Sequence, residues 1–347
     1  LPNTDTALIL ALCHVLLKNN LYDKDFINKY TVGSKKFFSY LLGKTDGIKK
    51  DPYWASKICN ISEEKIIKLA KKMMSKKTMI SLSWSLTRQQ YGEQPYWAGI
   101  CLASMLGQIG TSGGGIGFGY SAVNTVGNNL IPIKYPSFPQ KKNPISDFIP
   151  VARISDMLLN PNKKFNYNGK ILTYPNIELI YWAGGNPFHH HQDLNKMIKA
   201  WKKPKTIILN EWCWNTTAKY ADIILPCTTT FEREDISISN KDNYVVSMEK
   251  VIKPVGNSKN DFEIFSDLSD LLGVKDIFTE NMTAEAWQEK IYKESRKILL
   301  KKFKNIPSYK EFRKKKWFKI DRMKKKKIML REFRNNPDKN PLKTPSG

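Results

Sequence analysis

The sequence predicts an α/β fold with mainly parallel sheets divided over two domains, and three observations carry that expectation. Between residues 177 and 225, apolar strand-like runs alternate with a helical stretch, the pattern of a parallel sheet covered on both faces. Three strand ends carry polar or glycine-rich text, Trp84 to Arg88, Gly184 to Asn186, and Asn210 with Glu211, where open parallel sheets bind ligands. The length, 347 residues, accommodates roughly two domains of about 100 to 200 residues each. With 41% hydrophobic and 12% aromatic residues, there is enough apolar material for a core, which excludes a disordered chain.

Taken in order, Asn3, Thr4 and Asp5 read as an N-cap before a helix over Ala7 to Leu17. Glu63 to Met74 alternates apolar and lysine faces at helical spacing, and Thr78 to Ser83 is a short strand. Pro95 opens a helix through Leu106, which Gly110 to Gly119 breaks. Residues 128–150 are rich in Pro, Asn and Gly and read as a long connection. Ile177 to Ala183 is a strand, Gly184 to Pro187 a turn and His190 to Trp201 a helix; Thr206 to Leu209 and Ala221 to Leu225 are further strands flanking a loop from Asn210 to Thr217. These elements divide into an α/β domain over 1–130, a second over 131–275, and a basic helical or linker segment over 276–347.

The net charge is +25, a balance usually associated with nucleic acid or anionic membranes. Residues 290–347 hold 22 Lys or Arg against 5 Asp or Glu, so +17 belongs to this last stretch. Its clusters, Arg313 to Lys316 and Lys324 to Lys327, interleave with Trp317, Phe318 and Ile328, a combination nucleic-acid binders use. Charge runs are usually solvated surface, and 49 of the 57 basic residues are Lys, a bias of composition. No nucleic-acid partner is expected, and a basic nucleic-acid module over Lys310 to Arg334 stays the alternative from another class. Against this lysine background only Arg88, Arg153 and Arg233 occur before residue 290; each is either a chance survivor or a site needing a planar, bidentate guanidinium.

The five cysteines are scattered and never closer than 14 residues, which argues against a disulfide framework, a zinc site or a local iron–sulfur motif. The longest apolar run, Ala7 to Leu17, is about half a membrane span, so no membrane insertion is expected. The glycines of Gly113 to Gly119 lack the G-x-G-x-x-G spacing and follow a helix, which disfavours an ordinary NAD site; they form either a tight turn or a backbone approach to a ligand. His189, His190 and His191 point in different directions on a helix and do not converge on one ion; amides at a helix start with one histidine would face a phosphate or purine. Trp84 and Arg88 are four apart, which sets both on one face if the segment coils. A core tryptophan beside a surface arginine is the other reading. No nucleophile-elbow, P-loop or zincin motif is present.

Longer stretches carry a resemblance. YWAGGNPFHHHQDLNKMIKAW from Tyr181 to Trp201 and TIILNEWCWNTTAKYADIILPCTTTFERED from Thr206 to Asp235 are similar to the molybdopterin oxidoreductases, within them to the S- and N-oxide reductases, with the biotin sulfoxide branch nearest. SWSLTRQQYGEQPYW from Ser83, MLGQIGTSGGGIGFGY from Met105 and VARISDMLLNP from Val151 match in the same order, and the likeness runs from Pro2 to Gly347. Thr111 and Ser112 stand where the family would have Leu-Pro.

The resemblance implies two Rossmann-like α/β domains in the central part of a larger multidomain molybdoenzyme, the second binding a dinucleotide. It implies a bis(molybdopterin guanine dinucleotide) molybdenum cofactor and reduction of a small-molecule S-oxide or N-oxide by oxygen-atom transfer, with electrons from a donor protein or reduced nucleotide. Carried over by position, Trp84, Ser85 and Arg88 belong to the pocket around metal and cofactor, Trp84 and Arg88 being the catalytic candidates. Asn186 and His190 contact a guanine dinucleotide, and Asn210 and Glu211 follow the next strand. Relatives place the molybdenum-coordinating serine upstream and a further dinucleotide-binding domain downstream. No metal ligand is therefore named, and the chain alone is expected to hold the cofactor poorly and be inactive; a truncated product is a third reading. Relatives occur in periplasm and cytoplasm; the periplasm is the expectation, the cytoplasm its alternative.

Overall fold

The computed structural model describes residues 1–119, 131, 133–239, 243–322 and 328–347. The chain forms two compact units, Leu1–Pro132 with Met323–Gly347, and Ile133–Arg322.

In the first unit, helix α1 (Asp5–Lys18) is apolar on every side, which suits only a surrounded position. It forms the middle of a core shared with α2 (Lys24–Tyr30), α3 (Ser34–Leu41), α4 (Pro52–Cys59), α5 (Glu63–Ser75) and α6 (Gln94–Met105), where Leu16, Ile66, Ala70, Leu102 and Met105 are sealed from solvent. Asp23 and Asp51 cap α2 and α4 by accepting from Phe26 and Trp54 amides at 2.8 and 2.9 Å. Strand β1 (Met79–Leu82) lies parallel to β2 (Gly115–Phe118), with Leu82 opposite Phe118. The glycine run is therefore half turn, half strand. At Gly114 a Cβ would come 2.7 Å from both Gln108 Oε1 and Thr111 Oγ1, and at Gly115 2.9 Å from Ile109 Cα. Of the two readings of these glycines, the packing at 114 and 115 gives the tight turn, and Thr111 closes it by donating from its hydroxyl to the Gln108 carbonyl at 2.7 Å.

The second unit opens with α7 (Ile154–Leu159) and a hairpin of β3 (Lys164–Tyr167) and β4 (Lys170–Thr173), whose Asn168–Gly169 turn takes left-handed φ of 48° and 75°, the two-residue turn that matches strand twist. Strand β5 (Leu179–Ala183) leads to α8 (Pro187–His190) and α9 (Leu194–Trp201). The single helix expected over His190 to Trp201 is thus two, because Asp193 at φ 50° restarts the winding by accepting from the Lys196 amide at 3.1 Å. Strands β6 (Thr206–Glu211) and β7 (Ile223–Pro226) complete a parallel sheet of order β5-β6-β7, so Ala183, Asn210 and Leu225 stand in a row. Met197, Ala200, Trp201 and Ile207 pack beneath it.

Residues 276–347, expected as a basic helical or linker segment, hold helices and one strand besides. Strands β8 (Asp235–Ile238) and β9 (Tyr244–Met248) precede helices α10 (Asp261–Leu271), α11 (Lys275–Thr279), α12 (Ala284–Leu300) and α13 (Tyr309–Lys315), and β10 (Trp317–Lys319) returns to pair antiparallel with β9. Val245, Tyr292, Phe312, Phe318 and Ile320 make the core they share, with Tyr292 stacked on Phe312 at 4.7 Å. The aromatics interleaved with the basic residues are largely spent on this core, leaving Trp317 exposed; the cluster at Lys324 to Lys327 lies outside the described residues. The last residues return to the first unit, where the helix Arg331–Asn335 presents Arg334, which donates to the Gly107 and Ile109 carbonyls at 2.7 Å each. Among the described residues no helix is long and apolar enough to cross a membrane.

Two outcomes test this packing. Phe312→Ala should cost roughly 3–5 kcal/mol in urea unfolding, as for other core aromatics, where a linker residue would cost nothing measurable. His14, buried in α1 with Nδ1 unpartnered among the described residues, has its pKa lowered below the usual 6.5, by burial first and then Lys18 and Lys49, with Asp51 opposing. The folded state resists protonation, so stability is full above about pH 6.5 and declines as pH falls below it. His14→Leu should flatten that acid limb in thermal melts.

Candidate functional site

The first unit builds its candidate site at the carboxyl end of β1. Ser83 caps a 3-10 turn, Trp84–Arg88, its hydroxyl 2.8 Å from that of Ser85 and its carbonyl accepting from the Tyr96 hydroxyl at 2.6 Å. With three residues per turn, side chains three apart eclipse while those four apart diverge by about a third of a turn. The shared face expected for Trp84 and Arg88 therefore goes to Ser85 and Arg88. Trp84 lies against Phe118, ring centres 5.7 Å apart, and is 42% exposed. Gly119, at φ 58°, gives it room: a Cβ there would come 2.6 Å from the indole nitrogen. Arg88 is exposed and has no hydrogen-bond or ion-pair partner among the described residues. The other two early arginines are engaged: Arg153 pairs with Asp156 at 3.1 Å, and Arg233 donates to the Thr228 carbonyl at 3.0 Å.

The second unit builds its candidate site at the carboxyl ends of β5 and β6. Gly184 and Gly185 leave β5 with φ of 82° and 75°, and the space where each Cβ would sit is open. Asn186 follows, its side-chain oxygen accepting from the Thr217 hydroxyl and its carbonyl from the His189 and His190 amides at 2.9 and 3.1 Å. The His190 side chain is exposed. Asn210 and Glu211, expected in a loop, are the last two residues of β6 and are buried. The Asn210 amide is held at both ends: its oxygen accepts from the Tyr181 hydroxyl at 2.9 Å, and its nitrogen donates to Asp261 at 3.0 Å. Glu211 accepts from the Trp212 amide at 2.9 Å and from the Asn215 side chain.

Electrostatics here keep neutral groups neutral. Burial, opposed by the bond to Asn210 and assisted by the Asp261 charge, pushes the Tyr181 hydroxyl above its ordinary range, so it remains a donor. Burial, then Asp261 and Glu211, push the Cys227 thiol up to about 11, which removes it as a thiolate at neutral pH. Five residues on, the buried Glu232 carboxylate takes the Thr229 amide and hydroxyl and the Val255 amide, each at 2.7 Å, and these donors lower its pKa. Among the described residues no three His, Cys, Asp or Glu side chains are grouped to hold a metal.

Residues 1–271 match the family model of the molybdopterin oxidoreductases. The chain belongs to that family. Within the molybdopterin oxidoreductases it is 42% identical over its whole length to a biotin sulfoxide reductase of Cereibacter sphaeroides, 41% over 99% of its length to a trimethylamine-N-oxide reductase of Haemophilus influenzae, and 38% over its whole length to a dimethyl sulfoxide/trimethylamine N-oxide reductase of Cereibacter sphaeroides. It spans 46, 44 and 44% of those proteins' lengths. Among solved structures, acetylene hydratase from Pelobacter acetylenicus superposes with a TM-score of 0.51 at 14% identity, over 92% of this chain and 45% of that one, a likeness of fold. The family implies a molybdenum–pterin cofactor.

Of the seven residues carried over by position, Asn210 and Glu211 end the parallel strand β6, Trp84, Ser85 and Arg88 form the turn after β1, Asn186 follows β5 before α8, and His190 ends α8. Sequence reasoning missed Tyr181, Thr217 and Asp261, the residues that hold Asn210 and Asn186. One signal was legible: Asn260 to Glu263 is a capping box, announcing a helix start at Asp261. Tyr181→Phe should leave the buried Asn210 oxygen without its donor and cost about 1–3 kcal/mol in urea unfolding; a change near zero would dismiss the clamp.

Proposed function

We propose that the protein works as an S-oxide or N-oxide reductase, using a molybdenum–pterin group bound as bis(molybdopterin guanine dinucleotide). Arg88 carries the reading: a guanidinium without a partner among the described residues, on a turn ending a parallel strand, in a chain whose other early arginines are engaged. The oxide-reductase relatives support it across the whole chain. The residues present suit such a group: open space over Gly184 and Gly185, an exposed His190, and Asn210 and Glu211 with acceptor capacity left after their internal bonds.

When bound, the cofactor supplies two-electron oxygen-atom chemistry; the protein supplies position and electrostatics. Arg88 holds the oxide oxygen by a charge-assisted hydrogen bond, about twice as strong as a neutral one, and Trp84 walls the pocket against water. Ser85, on the same face of the turn as Arg88, adds a hydroxyl. Asn186 and His190 contact the guanine dinucleotide, while Asn210 and Glu211 form the floor beneath it. Overall, one oxygen atom leaves the substrate and ends as water with two protons and two electrons, the electrons coming from a donor protein or reduced nucleotide.

In the cofactor-loaded enzyme, Arg88→Ala should lower kcat/KM for dimethyl sulfoxide or trimethylamine N-oxide by about 100-fold or more, the scale for losing one preorganised donor, with molybdenum content retained by metal analysis. Arg88→Lys should recover only part of the loss. Unchanged turnover removes Arg88 from the reaction.

A further inference from the structure

Directly after Arg88 the chain lines a groove in the first unit of about 560 Å³, formed by Asn3, Gln89, Gln90, Tyr91 and Gln94 with small neighbours. Its lining has no charged side chain. Tyr91 stands 69% exposed there on a left-handed backbone, φ 56°. For a bulky aromatic residue that conformation is an outlier costing on the order of 1–3 kcal/mol, and such strain gathers at ligand clamps. The surroundings enforce it. The Gly92 amide donates to the Gln89 carbonyl at 3.2 Å and the Gln94 amide to the Tyr91 carbonyl at 2.9 Å. Gly92 is buried against the preceding turn, where a Cβ would come 2.5 Å from the Leu86 carbonyl oxygen. Asn3, also lining the groove, is likewise left-handed, φ 64°. An aromatic ring is thus held in water by a locked turn, with amide groups around it, and the Gln89 side-chain oxygen is shielded without a partner among the described residues.

We infer that this groove is a specificity site for the part of the substrate that carries no oxide: a neutral ring bearing hydrogen-bond donors and acceptors, stacked on Tyr91 and bonded by the Gln89 and Gln90 amides. The assignment rests on the oxide-reductase reading for what is turned over and on the groove for what is preferred. An aromatic face attracts planar or ring groups, side-chain amides both donate and accept, and the lack of charge in the lining favours neither anions nor cations. A bare methyl oxide offers nothing to any of these. A site built to bond polar groups rejects analogues that lack them, because its own groups are then left unpaired.

The test uses the cofactor-loaded enzyme with biotin sulfoxide, whose ring carries a ureido group, and dimethyl sulfoxide, which has neither ring nor ureido. Tyr91→Gly is the informative variant, since glycine adopts the left-handed backbone without strain and the fold should be at least as stable. The ratio of kcat/KM for biotin sulfoxide to that for dimethyl sulfoxide should fall about tenfold or more, mostly through KM, and Gln90→Ala should lower it in the same sense. A ratio within about twofold of wild type overturns the assignment. Calorimetric titration with biotin, the reduced product, reads the groove without turnover: Tyr91→Gly should weaken binding about tenfold, and equal binding by variant and wild type overturns the groove. If molybdenum-loaded wild type reduces neither oxide, the reductase reading fails while the titration still decides the groove.

Discussion

Of three side-chain hydrogen bonds at the sheet end in the second unit, two pass through one amide. Asn210 stands at the end of the middle strand, between Ala183 and Leu225 in the register, and is buried where water cannot serve it. A buried amide must find partners within the protein, and Tyr181 and Asp261 supply them from β5 and from the start of α10. The third bond, from Thr217 to Asn186, ties the turn after β5 to the loop after β6. The open turn at Gly184 and Gly185 is held from its own strand, the Gly184 carbonyl accepting from the Trp182 indole at 2.8 Å.

How much of this was legible depended on the range of the interaction. Helix α1, helix α5 and the strands around Ile180, Ile207 and Ile224 were visible because periodicity and apolar runs are local properties. The sheet of β8, β9 and β10 was not, since Trp317 pairs with Val246 across a long stretch of chain and nothing in either segment names the other. The 3-10 geometry of Trp84 to Arg88 was hidden because spacing shows that residues can share a face only once the pitch is known. The break between α8 and α9 hangs on one left-handed Asp193. The candidate site positions were named by resemblance to long motifs, and the supports of Asn210 and Asn186, namely Tyr181, Thr217 and Asp261, came only with the coordinates.

The arginines tell a consistent story against the lysine background. Arg233, Arg296, Arg322 and Arg334 all donate to backbone carbonyls, and Arg153 and Arg313 pair with carboxylates. A rigid fork with several donors can hold carbonyls that a single flexible ammonium cannot. The basic surplus, by contrast, is mostly lysine and surrounds a core of Phe312, Phe318 and Ile320, so charge and structure are separable properties of the same segment.

The return of the chain to its first unit has a bearing on synthesis. The unit containing α1 and β1 is completed by Arg334, whose guanidinium holds the carbonyls of Gly107 and Ile109, and by Tyr30, which bonds the Arg334 carbonyl. Everything from Ile133 to Arg322 lies between these partners in sequence. A ribosome emitting the chain N-terminus first therefore releases an unfinished first unit and then a whole second one before the closing residues emerge. Domains generally fold as units during synthesis, and this order gives the second unit a complete set of its own residues earlier than the first. Tyr30, 304 positions ahead of its partner, waits longest, and the carbonyls of Gly107 and Ile109 wait for the same residue.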